Sequence, residues 1–201
     1  MRITRILTVV SLGLALVLAG CADTTDDSVR TSTSGEEFNS ADVTFATEMI
    51  QHHAQALKMV DLTMGRDLSP EVQQLAEDIR AAQTPEIEQM SDWLQDWDEP
   101  IPSTVRDHAN SEGDTGGMDM GEMGDMPGMM SPDEMESLEK ASDAKFEQMW
   151  LEMMITHHEG AAEMAAEEQE DGLHQGAVKL AEQIETAQTE EIQNMERLLS
   201  N

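Results

Sequence analysis

The residues Met49-Ile50-Gln51-His52-His53 return as Met154-Ile155-Thr156-His157-His158, and the offset of 105 residues then holds without a gap to the end of the chain. Leu75, Ile79, Gln83, Glu86, Ile87, Met90 and Leu94 recur as Leu180, Ile184, Gln188, Glu191, Ile192, Met195 and Leu199. Four of the six histidines fall inside the duplication. It therefore carries two copies of one structural unit and two copies of whatever those imidazoles do.

Helical signals organise each copy. Ser40 reads as the cap of a helix through Phe45, Met49, His53, Val60 and Met64, with Gly65 as its stop. Ser69-Pro70-Glu71 is a second start signal with proline at the first helical position, and apolar residues follow at helical spacing to Trp97. Pro85 interrupts that second helix, where a missing N–H and a steric clash predict a kink. Ser131-Pro132-Asp133-Glu134 opens a short helix to about Lys140, a long one runs from Ser142 past Ala165 to Gly172, and a last one ends at Leu199. No stretch reads as an alternating strand. Two hairpins, each with one apolar stripe, can bury those stripes only against each other, so the expected fold is an all-α four-helix bundle of two repeated helix hairpins. The hairpins occupy 40–99 and 132–201, joined by an irregular connection at 100–131.

The N-terminus reads as an address. Arg2 and Arg5 precede an apolar run too short to span a bilayer, and Leu18-Ala19-Gly20-Cys21 has the form of a lipobox. Residues 1–20 are expected to be a lipoprotein signal peptide, Cys21 the lipidated first residue of the mature chain and 21–39 a disordered tether. The expected location is extracytoplasmic, on the bacterial cell envelope. Cys21 is the sole cysteine, so no intrachain disulfide is available and stability must come from packing. A formal charge of −31 argues against nucleic acid as a partner, because binding it requires basic surface.

On a helix at about 100° per residue, Met49, His52 and His53 share the buried stripe, with Asp42 two turns earlier. The second copy offers Glu147, Met154, His157 and His158 at equivalent places, and Met59 and Met164 follow the histidines by two turns. Thioether and imidazole together favour a soft or borderline ion, with Cu(I) ahead of zinc and Ag(I) bound for the same reason. Gln83 and Gln188 interrupt apolar stripes and are candidates to support the histidines as hydrogen-bond partners. A methionine stripe alone is usually core filling; two His-His pairs in register, each with methionine at i−4, favour metal. The connection adds Met118, Met120, Met123, Met126, Met129 and Met130 among glycine and acidic residues, a candidate capture loop for the same ions. His108 and His174 have no repeat partner and read as surface residues. Trp93, Trp97 and Trp150 read as packing.

Ferritin-like di-iron bundles use Glu-x-x-His on two helices, a motif this chain lacks, and no nucleophile-base pair or phosphate loop is present. The residues Asp42-x-x-Phe45, Met49-Ile50-x-His52-His53 and Gln83-x-x-Glu86-Ile87-x-x-Met90, with their second copies through Phe146-Glu147, Met154-Ile155-x-His157-His158-Glu159-Gly160-Ala161 and Gln188-x-x-Glu191-Ile192-x-x-Met195, resemble the bacterial family called domain of unknown function 305. Met126-Pro127-Gly128-Met129-Met130-Ser131 resembles that family's inter-repeat segment. Glu147 stands where an aspartate is more usual. The resemblance implies a ferritin-like four-helix bundle, secreted or lipid-anchored, with copper binding or copper tolerance proposed for some members. Three readings follow: an envelope protein that sequesters or transfers Cu(I) and Ag(I), a ferritin-like redox metalloenzyme, or a structural lipoprotein with a polar core and no metal.

Overall fold

The computed structural model describes residues 28–105 and 126–200; Cys21, His108, Met118, Met120 and Met123 lie outside them. Among the described residues five helices make up the body: α1 (Ser40–Asp61), α2 (Pro70–Asp96), α3 (Pro132–Lys140), α4 (Asp143–Asp171) and α5 (Gln175–Leu199). The long four form the expected all-α bundle, with α1 packed on α2, α4 on α5, and the hairpins joined chiefly through α1 against α4. Among the described residues no helix is long and apolar enough to cross a membrane.

Local chemistry starts each helix close to where the sequence places it. Asn39, one residue before the expected Ser40, caps α1 in a reciprocal box: its side chain accepts from Asp42 N and the Asp42 carboxylate accepts from Asn39 N at 2.7 Å. Ser69 and Pro70 open α2, and Ser131, Pro132 and Glu134 open α3. α1 ends at Asp61, short of Met64, and Gly65 (φ 78°) lies in the turn that follows. α2 runs unbroken through Pro85. Pro85 and Ala81, whose carbonyl the proline leaves without a helical donor, both lie on the exposed face, where water can replace the missing bond.

Two expectations fail at the N-terminal end. Residues 28–39 are not tether: β1 (Arg30–Thr31) and β2 (Glu37–Phe38) form an antiparallel hairpin. Phe38 stacks on Trp97 with ring centroids 4.9 Å apart, and Asp96 accepts from the Ser34 backbone N–H at 3.1 Å and from the Ser34 hydroxyl at 2.7 Å. The hairpin is ordered because the end of α2 offers it an aromatic platform and a carboxylate. His174 is not a surface residue either. It is 3% exposed, caps α5 by accepting Ala177 N on Nδ1, and packs edge-on against Trp93 and Trp97.

The two copies exchange partners across the bundle. Asp42 Oδ1 on α1 accepts from Leu173 N and His174 N at the start of α5 (3.1 and 2.8 Å). Glu147 on α4 accepts from Ser69 N at the start of α2 (2.6 Å). Asp42 and Glu147 are repeat equivalents, as are Ser69 and His174, so each hairpin satisfies a free amide at a helix start in the other. The apolar layers cross in the same way. One joins Met154 and Met195 of the second copy to Met59 of the first, around Phe146 and Trp150; the other joins Met49 and Met90 of the first to Met164 of the second, around Phe45 and Trp97. Trp150 Nε1 donates to the Met59 carbonyl at 3.0 Å and fixes the α1–α4 register.

Losing a capping acceptor typically costs about 0.5–2 kcal/mol. Asp42→Ala, which strips acceptors from two helix starts, is expected to destabilise the protein by about 2 kcal/mol and Glu147→Ala by about 1 kcal/mol in urea denaturation.

Candidate metal centre

Helices related by a twofold axis bring a residue against its own equivalent only near that axis. His52 and His157 are such a pair, with ring centroids 3.8 Å apart and planes tilted by 41°. They hold the middle of α1 and α4, between the two methionine-containing layers and part of neither. All four repeated histidines have 0% exposure. The apolar period that builds the bundle thus places four imidazoles at its centre.

Their hydrogen bonds set the tautomers. The Pro127 carbonyl can only accept, so His52 Nε2–H donates to it at 3.1 Å and the lone pair sits on Nδ1. His53 Nε2 meets Glu86 Oε2 at 2.7 Å, and His158 Nε2 meets Glu191 Oε2 at 2.7 Å. In all three rings Nδ1 is buried without a partner, and neither nitrogen of His157 has one in good geometry. An imidazole whose outer N–H is held by an oxygen while its inner nitrogen stays free is arranged as a metal ligand is.

Burial keeps the two rings at the crossing neutral. It pushes the His52 imidazole from 6.5 down to about 3, with His53 adding to the shift and the Pro127 carbonyl opposing it. His157 is pushed well below its ordinary value, first by burial and then by His52, His158 and His53. His52 and His157 therefore each present a lone pair at neutral pH.

The other expected site residues are distributed differently. Met49 and Met154 are fully buried but lie in opposite layers, each beside the other copy's late methionine: Met49 with Met164, and Met154 with Met59. Asp42 and Glu147 lie near the helix starts, and their carboxylates hold backbone amides. Gln83 and Gln188 are buried, yet both amide atoms of Gln83 and Oε1 of Gln188 have no partner. The support expected from these glutamines comes instead from Glu86 and Glu191, one turn further along the same helices. Their recurrence in register was the available signal, but helical spacing within one chain segment does not reveal contacts between helices. Among the described residues no three His, Cys, Asp or Glu side chains stand together as a metal-holding group.

Glu168 on α4 is a second missed group. Burial pushes its carboxyl up to about 9, reinforced by the nearby carboxylates of Asp42 and Asp171, which favours the neutral acid at pH 7.

The end of the connection is not free of a core. Met130 belongs to the Trp150 layer, with Met126 and Met129 half-buried. Residues 126–130 form a strap over α4 and against α1. A Cβ on Gly160 would lie 2.1 Å from the Pro127 carbonyl oxygen, and one on Gly128 (φ +73°) 2.5 Å from the Thr156 carbonyl oxygen. Gln55 then clamps Met130, donating to its carbonyl at 2.8 Å and accepting from its N–H at 2.7 Å. The strap is what brings the Pro127 carbonyl to His52.

Two helix hairpins exchanged about a buried four-histidine layer define a class of duplicated helical bundle. The chain belongs to the family described as Domain of unknown function (DUF305), whose family model matches residues 42–199. Among solved structures it is similar to a DUF305 fragment from Deinococcus radiodurans (29% identity, TM-score 0.66, covering 85% of this chain and 99% of that one). It is similar also to a DUF305 protein from Streptomyces coelicolor (32% identity, TM-score 0.67, 80% and 93%). A third similar structure is CopM in the Cu(I)-bound form (25% identity, TM-score 0.62, 80% and 96%). CopM also has Cu(II)-bound, Ag-bound and apo forms. No curated protein matches the chain.

For a histidine whose folded value lies below its unfolded one, the unfolded chain binds more protons between the two. Stability is then present above about pH 6.5 and is lost as pH falls toward about 3. The metal-free protein is expected to lose about 1.4 kcal/mol per pH unit for His52 in this window, with His157 adding to the loss in the same direction. Urea denaturation from pH 7 to 4.5 checks this, and a His52→Gln/His157→Gln variant should show a markedly shallower slope. Glu168 acts with the opposite sign, its contribution being lost as pH rises from about 4.5 toward 9; Glu168→Gln should remove that alkaline loss.

Proposed function

We propose that this protein is an envelope-anchored binder of Cu(I), and incidentally Ag(I), that sequesters the metal or passes it on. The observation that carries the reading is the set of buried Nδ1 atoms in His52, His53, His157 and His158, left without hydrogen-bond partners while their Nε2 atoms are bonded in three of the four rings. A polar layer that served only to fix helix register would gain from satisfying those lone pairs, because a buried unmet acceptor costs about 1–3 kcal/mol. A metal ion removes that cost.

The donor set favours a soft, low-charge ion. Imidazole nitrogen and the thioethers of Met49, Met59, Met154 and Met164 are borderline and soft donors that match a hard divalent cation poorly, whereas Cu(I) and Ag(I) accept nitrogen and thioether sulfur at low coordination number. Copper and silver complexes of the similar protein CopM support the same class of ligand. Asp42 and Glu147 enter the reading as the groups that fix the two helix starts, and Glu86 and Glu191 as those that orient His53 and His158. The connection methionines Met118, Met120, Met123, Met126, Met129 and Met130 would gather the ion from solution, and lipid on Cys21 would hold the protein at the membrane.

Cu(I) titration against a competing chelator tests the proposal. The native protein is expected to hold Cu(I) at least tenfold more tightly than a His52→Asn/His157→Asn variant. Equal affinity in the two, with only a lower melting temperature in the variant, would contradict it and leave the layer a structural polar network.

A further inference from the structure

A cavity of about 290 Å³ lies beside the strap, outside the histidine layer, and three methionines line it: Met129, Met130 and Met135. Met129 and Met130 end the strap, and Met135 follows in the first turn of α3, so the Ser131–Pro132 helix start folds the three toward one space. Gln55 of α1 forms another wall and pins Met130 through both of its amide bonds. Lys58, Glu136 and Glu139 are the charged residues of its rim, and Leu62 and Val105 add apolar wall.

Core filling accounts for Met130 and Met135 in part, since both are about nine-tenths buried. It does not account for the half-buried Met129, which brings a third thioether to the same half-open cleft. The lining chemistry is selective. Thioethers are neutral, weakly hydrated donors that hard cations reject in favour of oxygen, and zinc takes imidazole, carboxylate or thiolate in preference to thioether. The rim, with two carboxylates and one ammonium, supplies one net negative charge, enough to balance a monovalent ion.

We infer that Met129, Met130 and Met135 form an outer site for a soft monovalent cation, Cu(I) or Ag(I), separate from the histidine layer. The inference rests on the proposed function for the identity of the ion and for the part given there to Met129 and Met130. It adds Met135, which lies on a helix beyond the connection, and it makes the strap a bridge: Pro127 contacts His52 at one end and Met129 and Met130 line the outer site at the other.

The test is Ag(I) titration of the full chain labelled with 13C at the methionine methyls, with resonances assigned by single Met→Leu variants, which conserve volume. The methyls of Met129, Met130 and Met135 should shift together with the uptake of one equivalent, the first added in the His52→Asn/His157→Asn variant and one beyond that held by the histidines in the native chain, while equimolar Zn(II) leaves them unmoved. Met135→Leu should abolish the shifts at Met129 and Met130 and weaken that binding step at least tenfold; Met129→Leu, at a half-buried position, should do the same without disturbing the core. Unmoved methyls, or shifts at Met129 and Met130 that survive Met135→Leu, would overturn the inference. Methyl shifts retained where the His variant binds Cu(I) as well as native protein would sink the histidine centre and leave the outer site standing.

Discussion

The contact of His52 with His157 governs the rest of this structure. A duplicated helix pair can close on itself about a twofold axis, and whatever residue sits at the crossing must then pack against its own copy. Here that residue is an imidazole, so the axis is polar, and the neighbouring His53 and His158 widen it into a layer with no access to water. Burial drives His52 and His157 to neutrality, and the oxygens of Pro127, Glu86 and Glu191 fix which nitrogen of three of the rings carries the proton.

The exchange between copies locks that geometry in place. Asp42 and Glu147 each hold the start of a helix in the opposite hairpin, and each apolar layer draws methionines from both copies. Neither hairpin completes its own helix starts or its own core. The strap then closes one side of the layer through contacts that only Gly128 and Gly160 permit. Metal chemistry at the centre would thus be supported by groups far from it: carboxylates that hold helix ends, and glycines that admit a carbonyl to His52.

The fold was largely legible in the sequence because the repeat and the helical period report the same thing, two apolar stripes that must meet. The burial of His52, His53, His157 and His158 followed from that period alone. Contacts between elements were not legible. Asp42 and Glu147 share a helix face with the histidines, which made them look like ligands, but at two turns' remove they serve helix starts across the bundle. Glu86 and Glu191 were visible only as repeated residues, since their pairing with histidine depends on how α2 and α5 dock. His174 looked exposed because no repeat partner marks it, yet Trp93 and Trp97 enclose it. The order of residues 28–39 rests likewise on a distant tryptophan, Trp97, that local composition does not reveal.

The central claim is that free Nδ1 atoms at the twofold axis take a soft metal ion. Long-range 15N NMR of the histidine ring nitrogens during addition of Ag(I), which carries no redox chemistry of its own, reads those atoms directly. The account predicts that Nδ1 of His52 and His157 moves as the ion binds while the protonated Nε2 of His53 and His158 stays hydrogen-bonded to Glu86 and Glu191. Ring nitrogens that remain unshifted while Ag(I) binds elsewhere on the chain would contradict it.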